Sequence, residues 1–202
     1  SSFMLDNKIL VFDFDGTLTT RDTLIAFIRF ARGTAWLLCC LALLLPRLLL
    51  MKVGLADNGR TKERLFAMCF KGMPVACFDD LCRRFAATVG RSLKRQDTWG
   101  VMEKAVADGR PVYVVSASVD NWVRPFFQEA VAVIGTQVES EDGRLTGRFL
   151  TPNCYGAEKV RRLKASLPDL ADARPHYYII AYGDSRGDKE MLAYADESHY
   201  VG

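Results

Sequence analysis

Three features of this 202-residue sequence predict an α/β fold, a Rossmann-like doubly wound parallel sheet with a mainly helical insertion near its start. The first is Ile9-Leu10-Val11-Phe12, an unbroken apolar run of the kind that forms a strand buried on both faces. The second is the alternation of short apolar runs with helical periodicity after residue 104, the signature of strands joined by crossover helices. The third is the stretch 19–103, which is helical in period throughout and carries no convincing strand. The expected division is a core of residues 4–18 and 104–202 and a helical cap over residues 19–103.

The elements follow in order. After the first strand, Asp22 reads as a helix N-cap, Leu24, Phe27, Ile28 and Ala31 as its apolar face, and Gly33 as its stop. A Leu-rich stretch follows and breaks off over Gly54–Gly59. Helical period resumes at Thr61, with Leu65, Met68 and Cys69 on one face, and ends at Gly72 and Pro74. Further helices are expected from Val75 to Val89 and from Gln96 to Ala107, the latter ended by Asp108-Gly109. Pro111 to Val115 is a strand leading into Ser116-Ala117-Ser118. Asn121 to Ala130 reads as a helix despite Pro125, and Val131 to Ile134 as a strand. Asp142-Gly143 is a hairpin turn between Thr136–Glu141 and Arg144–Leu150. Tyr155-Gly156 opens a basic helix through Leu167. Tyr177–Ala181 is a strand running into Gly183-Asp184, a helix covers Lys189–Tyr194, and His199-Tyr200-Val201 starts a last strand.

Half of the residues are hydrophobic and a quarter charged, an ordinary globular composition. The six cysteines form no Cys-x-x-Cys, and the two histidines, His176 and His199, lie far along the chain from most of them, so a zinc site is not expected. Most of them read as small buried residues in a reducing cytoplasm. Ser1-Ser2-Phe3 read as an addition ahead of Met4. No secretory leader is expected, because the first apolar run carries Asp13 and Asp15. Residues 19–103 hold 14 Lys and Arg against 7 Asp and Glu, whereas the remainder is net acidic, so two surfaces of different charge are expected. No interleaved aromatic and basic platform marks a nucleic-acid binder.

Ala35 to Leu45 is eleven apolar residues in a row, broken by Pro46-Arg47 and resumed from Leu48 to Met51. Such a run is short for a membrane span, which takes about 20 residues, and Pro46 and Arg47 argue further against one. Two readings of Leu37–Met51 stay open: a buried or partner-facing helical hairpin, and a helix pair lying on a membrane. Arg32, Arg47 and Lys52 beside it would attract anionic lipid.

The chemistry is concentrated at strand ends. In a parallel sheet, ligands bind at the carboxyl edge of the strands. Asp13 and Asp15, Ser116, and Asp184 and Asp188 all stand at or just beyond such ends, and Lys159 stands early in a helix between the last two. Four carboxylates in one crevice would repel unless a cation intervened, and a hard divalent ion such as Mg²⁺ suits oxygen ligands beside a phosphate. A lone Lys early in a helix is more often solvated, and Gly-Asp-x-x-x-Asp is often a helix entry. The joint order of the four is what carries weight.

Asp13-Phe14-Asp15-Gly16-Thr17-Leu18-Thr19 together with Ser116, Lys159 and Asp184/Asp188 resembles the four-motif pattern of the haloacid dehalogenase-like phosphohydrolases, over most of the chain outside residues 19–103. The resemblance implies a phosphatase with an Asp13 nucleophile and Asp15 as general acid and base. It implies phosphate contacts from Ser116, the Ala117 amide, Gly16, Thr17 and Lys159. It implies Mg²⁺ held by Asp13, the Asp15 carbonyl and Asp184, with Asp188 in support, either through water or by orienting Lys159. The insertion after the first motif looks like the helical cap of the phosphoserine phosphatase-like subfamily. Asp22 matches a position near the substrate amine there, but its reading as a helix cap is preferred. The last motif departs from that enzyme's pattern, with Gly187 in place of an Asn.

A small phosphorylated metabolite is the expected substrate, and a cytoplasmic location is expected. Leu37–Met51 and Cys154-Tyr155-Gly156-Ala157-Glu158-Lys159 also resemble membrane-associated phosphatidylglycerophosphate phosphatases. A lipid phosphate at the cytoplasmic membrane face is therefore the alternative. A non-catalytic phosphoryl-binding or regulatory domain would be expected to have lost an acid of the site, and all are present.

Overall fold

The computed structural model describes residues 7–167 and 176–202; the residues up to Asp6, Met4 among them, lie outside this range. β1 (Lys8–Phe12) forms from the first apolar run. Leu10 and Phe12 enter one hydrophobic cluster, and Ile9 and Val11 enter another. The two-residue period of a strand thus buries both faces, which explains why the run lacks polar side chains.

α1 (Thr23–Arg32) starts at Asp22, whose carboxylate accepts the Leu24 N–H at 2.8 Å. α2 (Thr34–Leu43) and α3 (Leu45–Lys52) meet at 63°. Pro46 stands in the first turn of α3, where its missing N–H would have had no helical partner. α4 (Asn58–Phe70) begins before Thr61, because the Asp57 carboxylate accepts the Arg60 N–H at 2.9 Å. α5 (Val75–Ala87), α6 (Val89–Leu93) and α7 (Gln96–Ala107) complete the helices that precede the second strand.

β2 (Val112–Val119) runs beyond Val115 and includes Ser116-Ala117-Ser118, with an irregular register against its neighbour there. The helix expected over Asn121–Ala130 is reduced to α8 (Asp120–Val123) and a 3₁₀ turn (Arg124–Phe126). Pro125 offers no N–H for a longer helix, and burying Trp122, Val123 and Phe126 fixes the short form. β3 (Val131–Thr136) is followed by β4 (Val138–Glu141) and β5 (Arg144–Phe149). Asp142 and Gly143 both have positive φ, 50° and 75°, as a tight hairpin turn requires. Then come α9 (Ala157–Ser166), β6 (Tyr178–Gly183), a 3₁₀ turn (Arg186–Asp188), α10 (Lys189–Tyr194) and β7 (Glu197–Tyr200).

The main sheet has the order β3-β2-β1-β6-β7, with every pair parallel. The chain runs outward from β1 on one side and returns to its other side at β6, so β1 and β6 flank the switch point of the sheet. The β4–β5 hairpin is a separate antiparallel pair. It is tied to the α4–α5 junction: the Gly72 N–H donates to Leu145 O at 2.8 Å, and the Leu145 N–H to Met73 O at 2.9 Å. Phe27 of α1 stacks on Trp122 of α8 at 4.9 Å and meets Phe70, Phe78 and Phe85 of α4 and α5. The helices between β1 and β2 therefore share one aromatic cluster with a face of the sheet.

Leu37–Met51 is buried on one face only: Leu37, Cys40 and Leu44 reach the core, whereas Leu38, Leu43 and Leu49 are 59%, 74% and 56% exposed. One helix face satisfies the core, and the sequence is apolar on the others as well. Four of the six cysteines are buried, as expected for most of them, and Cys39 and Cys77 are exposed. All six are free thiols. No single helix among the described residues is long and apolar enough to cross a membrane, although the bent pair α2–α3 has the length and composition.

Candidate active site

The Asp13 N–H donates to Tyr182 O at 2.9 Å, extending the β1–β6 ladder by one step, so Asp13 stands at the carboxyl edge of the central strand. Lys159, in the first turn of α9, is almost wholly buried beneath it. Its Nζ donates to Asp13 Oδ1 at 2.6 Å and to Asp188 Oδ1 at 2.5 Å. The other oxygen of Asp188 accepts the N–H groups of Asp184 at 3.0 Å and Ser185 at 3.2 Å. Asp188 therefore both caps its 3₁₀ turn and holds Lys159. The Thr17 hydroxyl lies 3.2 Å from Asp13 Oδ2 and 3.3 Å from Asp184 Oδ1, and its single proton serves one of them at a time.

Gly16 makes the approach of Asp184 possible. Its φ is +81°, and a Cβ there would lie 2.0 Å from Asp184 Oδ2. A side chain at residue 16 would have to displace that carboxylate.

Asp15 is engaged elsewhere. Its Oδ1 accepts the Thr23 N–H at 2.7 Å and the Thr23 hydroxyl at 2.6 Å, and its Oδ2 accepts the Ser118 hydroxyl at 2.5 Å. The Trp122 indole N–H donates to the Thr23 hydroxyl at 3.0 Å and fixes it in turn. Its carboxylate is thus apart from the three-acid cluster, and only the main-chain carbonyl of Asp15 remains as the ligand the family pattern implies. Ser116 is fully buried, and its hydroxyl accepts the Ser118 N–H at 3.0 Å. Ala117 and Ser118, rather than Ser116, line the cleft.

The charges are unbalanced. One ammonium faces two buried carboxylates, and the surplus falls on Asp13. Burial, more than any other influence, holds the Asp13 carboxyl well above its usual pKa, against the pull of Lys159. Burial also works to raise Asp188, but Lys159 and two backbone N–H donors outweigh it and hold that carboxyl below its usual value. Burial works to lower Lys159, yet both aspartates together keep it above the ordinary lysine value. One oxygen each of Asp13, Asp184 and Asp188 lie within 4.8 Å of one another. An all-carboxylate, oxygen-only donor set with surplus negative charge fits Mg²⁺. Asp184, and Asp13 through the oxygen that Lys159 does not hold, would be the carboxylates to hold it, because both oxygens of Asp188 are taken.

These groups form the floor of a cleft of about 500 Å³. Its upper wall is apolar, made by Leu24 and Ile25 of α1, Leu41 of α2, Leu44, and Leu48 and Met51 of α3. Asp22 lies on the rim while capping α1.

Sequence reasoning did not single out Lys62, Ser118 and Asn153, which line this cleft, or Thr23, which is buried behind it and holds Asp15. Ser118 was within reach, since it is two residues beyond Ser116 on one strand and shares its face. Lys62 carried no local signal, because Arg60, Glu63 and Arg64 around it read as a solvated helix face. The departure at Gly187 has a steric cause: a Cβ there would lie 2.5 Å from the Tyr155 ring. The Gly156 N–H also donates to Gly187 O at 2.8 Å, closing α9 onto the 3₁₀ turn.

Comparison with known proteins places this arrangement. A family model described as haloacid dehalogenase-like hydrolase matches residues 10–193. The chain is 37% identical over 196 residues to protein CicA of Caulobacter vibrioides, covering 95% of this chain and 85% of that protein. Among solved structures, it is similar to a protein of unknown function from Bordetella pertussis Tohama I, at a TM-score of 0.80 and 21% identity, covering 95% and 88% of the two chains. It also shares its fold with a phospho-aspartyl intermediate analogue of phosphoserine phosphatase, at a TM-score of 0.59 and 17% identity, covering 96% and 85%. With the motif residues gathered at one sheet edge and the family model matched over nearly the whole chain, this protein belongs to the haloacid dehalogenase-like hydrolases.

Proposed function

We propose that the protein is a Mg²⁺-dependent phosphatase that hydrolyses the phosphomonoester of a small phosphorylated metabolite through an aspartyl-phosphate at Asp13. The observation that carries this reading is the Asp13–Lys159–Asp188 chain beside Asp184, with Asp15 held apart by Thr23 and Ser118. Two carboxylates two residues apart in sequence thereby have different environments, as a nucleophile and an acid–base group need.

A carboxylate oxygen of Asp13 attacks phosphorus, and the bond to the ester oxygen breaks. Asp15 gives that oxygen a proton, then takes one from the water that attacks the aspartyl-phosphate and regenerates Asp13. Lys159 balances the phosphoryl oxygens and is kept charged and in place by Asp188. The Ala117 amide and Gly16 line the phosphoryl site, and the buried Ser116 and Thr17 hydroxyls brace it through the Ser118 N–H and Asp13. Bound Mg²⁺, held by Asp13, Asp184 and the Asp15 carbonyl, would supply further positive charge against the same oxygens. Residues 19–103 act as the cap that shields the transfer from water and meets the leaving group.

The test is release of inorganic phosphate from an aryl phosphate with Mg²⁺, with EDTA, and with Asp13→Asn. Activity confined to the Mg²⁺-loaded native protein is expected. Substantial Mg²⁺-dependent turnover by pure Asp13→Asn would overturn the covalent mechanism.

A second reading rests on α2 and α3. The helices that wall the cleft with Leu41, Leu48 and Met51 also expose Leu38, Leu43, Leu45 and Leu49. An apolar cleft wall continuous with an apolar outer face suits a lipid phosphate reached from the cytoplasmic membrane surface. Against it, Arg32 and Arg47 are engaged within the chain, donating to Cys69 O at 2.7 Å and the Thr61 hydroxyl at 2.9 Å. Leu43→Asp should abolish binding to anionic vesicles and lower turnover of phosphatidylglycerophosphate, while sparing an aryl phosphate. Native protein that ignores such vesicles at low salt removes this reading.

A further inference from the structure

Lys62 and Arg21 are the cleft cations that the mechanism leaves unused, and of the two Lys62 is the one withdrawn from solvent. It projects from α4, is half-buried, and lines the cleft together with Asp15, Asp22 and the apolar wall. Its Nζ donates to the main-chain oxygen of Ala117 at the end of β2, and to Asn153 Oδ1 at 3.3 Å. Both acceptors are uncharged. Among the described residues no carboxylate forms an ion pair with it, in contrast to Lys159, which has two.

An ammonium carries three donors, and two are accounted for. Holding a half-buried cation against neutral oxygens alone is unfavourable, and burial lowers its pKa, with Asp15 and Asp22 working the other way. An anion delivered into the cleft would relieve this. The scissile phosphoryl group already has Lys159 and the acid cluster on the floor. Lys62 stands on a different element, on the side of Asp15, which protonates the departing oxygen. Its natural counterpart is therefore a charge on the leaving group.

We propose that Lys62 is a specificity-determining residue that binds a second anionic group, a carboxylate or a phosphodiester, on the leaving group of the substrate. This deepens the phosphatase reading and rests on it. In the absence of ligand, Ala117 O and Asn153 occupy the ammonium; with substrate, the third donor and the charge go to the anion. A charge-assisted hydrogen bond in a half-buried cleft is expected to favour such ligands by about 10–100-fold over uncharged analogues.

The test measures binding, so it does not depend on turnover. Calorimetric titration of the Mg²⁺-loaded native protein would compare propylphosphonate, 3-phosphonopropanoate, 4-phosphonobutanoate and a methyl phosphodiester of 3-hydroxypropylphosphonate. At least one anion-bearing ligand should bind about tenfold or more tighter than propylphosphonate. The arm that shows it separates carboxylate from phosphodiester. Lys62→Gln keeps a donor for Ala117 O but removes the charge; it should bring the ligands together, while propylphosphonate binds as in the native protein. Lys62→Arg should restore part of the preference. No preference in the native protein would overturn the proposal, as would a preference that survives in Lys62→Gln. If Lys62→Gln instead weakens every ligand equally at an unchanged melting temperature, Lys62 acts on the phosphoryl site and the proposal also fails. Absence of phosphate release from any monoester would refute the phosphatase reading separately.

Discussion

Lys159→Met isolates the most consequential contact in the molecule. The native ammonium is 2% exposed and joins Asp13 and Asp188, which are 5% and 0% exposed. Met fills a similar volume, so packing is nearly conserved and charge is the main change. Removing one partner of a buried ion pair leaves an uncompensated charge and costs about 3–5 kcal/mol. For a chain of this size each kcal/mol moves the melting temperature by about 2–4 °C, so a fall of about 6–20 °C is expected. The influences on Asp13 also give this loss a pH dependence. Burial, the charge of Asp188 and the contact with Asp184 all raise its pKa, and Lys159 is the influence that opposes them. Without Lys159, the folded-state pKa rises further above the unfolded one. A group raised in this way stabilises the fold when protonated, and that stability is lost as pH rises through the folded pKa. The variant in EDTA should therefore melt closer to the native protein at pH 5 than at pH 8, and Mg²⁺ should recover part of the difference at pH 8. Thermal melts followed by circular dichroism at both pH values, with and without Mg²⁺, measure this. A shift below about 2 °C, equal at both pH values, would refute the idea that Lys159 neutralises these carboxylates.

Other perturbations follow from the same geometry. Gly16→Ala puts a Cβ 2.0 Å from Asp184 Oδ2 at a positive φ; it should cost about 1–2 kcal/mol and raise the Mg²⁺ concentration needed for half-maximal activity, and an unchanged Mg²⁺ titration would count against Asp184 as a ligand. Gly187→Asn restores the phosphoserine phosphatase pattern but drives a side chain into the Tyr155 ring, so it should lower the melting temperature, whereas the double variant with Tyr155→Ala should regain most of it; melts of both variants decide this. Cys39 and Cys77 are exposed and the other four thiols buried, with burial pushing Cys154 up to about 11 and Cys69 up to about 12; alkylation at pH 8 followed by mass spectrometry should label the two exposed thiols promptly and the others only on unfolding.

Much of the site was legible because it is written at strand ends. Asp13, Asp15, Asp184 and Asp188 follow apolar runs whose composition already requires burial on two faces, and a parallel sheet puts such ends on one edge. Asp22 as a helix cap, the Asp142-Gly143 turn and the helices from Asn58 to Ala107 are likewise local events, set by side-chain hydrogen bonds and periodicity. Tertiary structure decided what depends on a distant partner. That Asp15 is held by Thr23 and Ser118, and Asp13 by Lys159, required residues 103 and 146 positions apart in sequence to meet. The shortened helix after Asp120 depended on Trp122 finding Phe27. Leu37–Met51 shows the limit most plainly, for an apolar run states that burial is favourable but not what provides it. Here Leu37, Cys40 and Leu44 meet the core, Leu41, Leu48 and Met51 wall the cleft, and Leu38, Leu43 and Leu49 face outward. Lys62 is the opposite case: a charge that looks solvated in sequence lines the cleft because α4 packs on β5 and the ammonium reaches Ala117 O at the end of β2, a placement that no local pattern encodes.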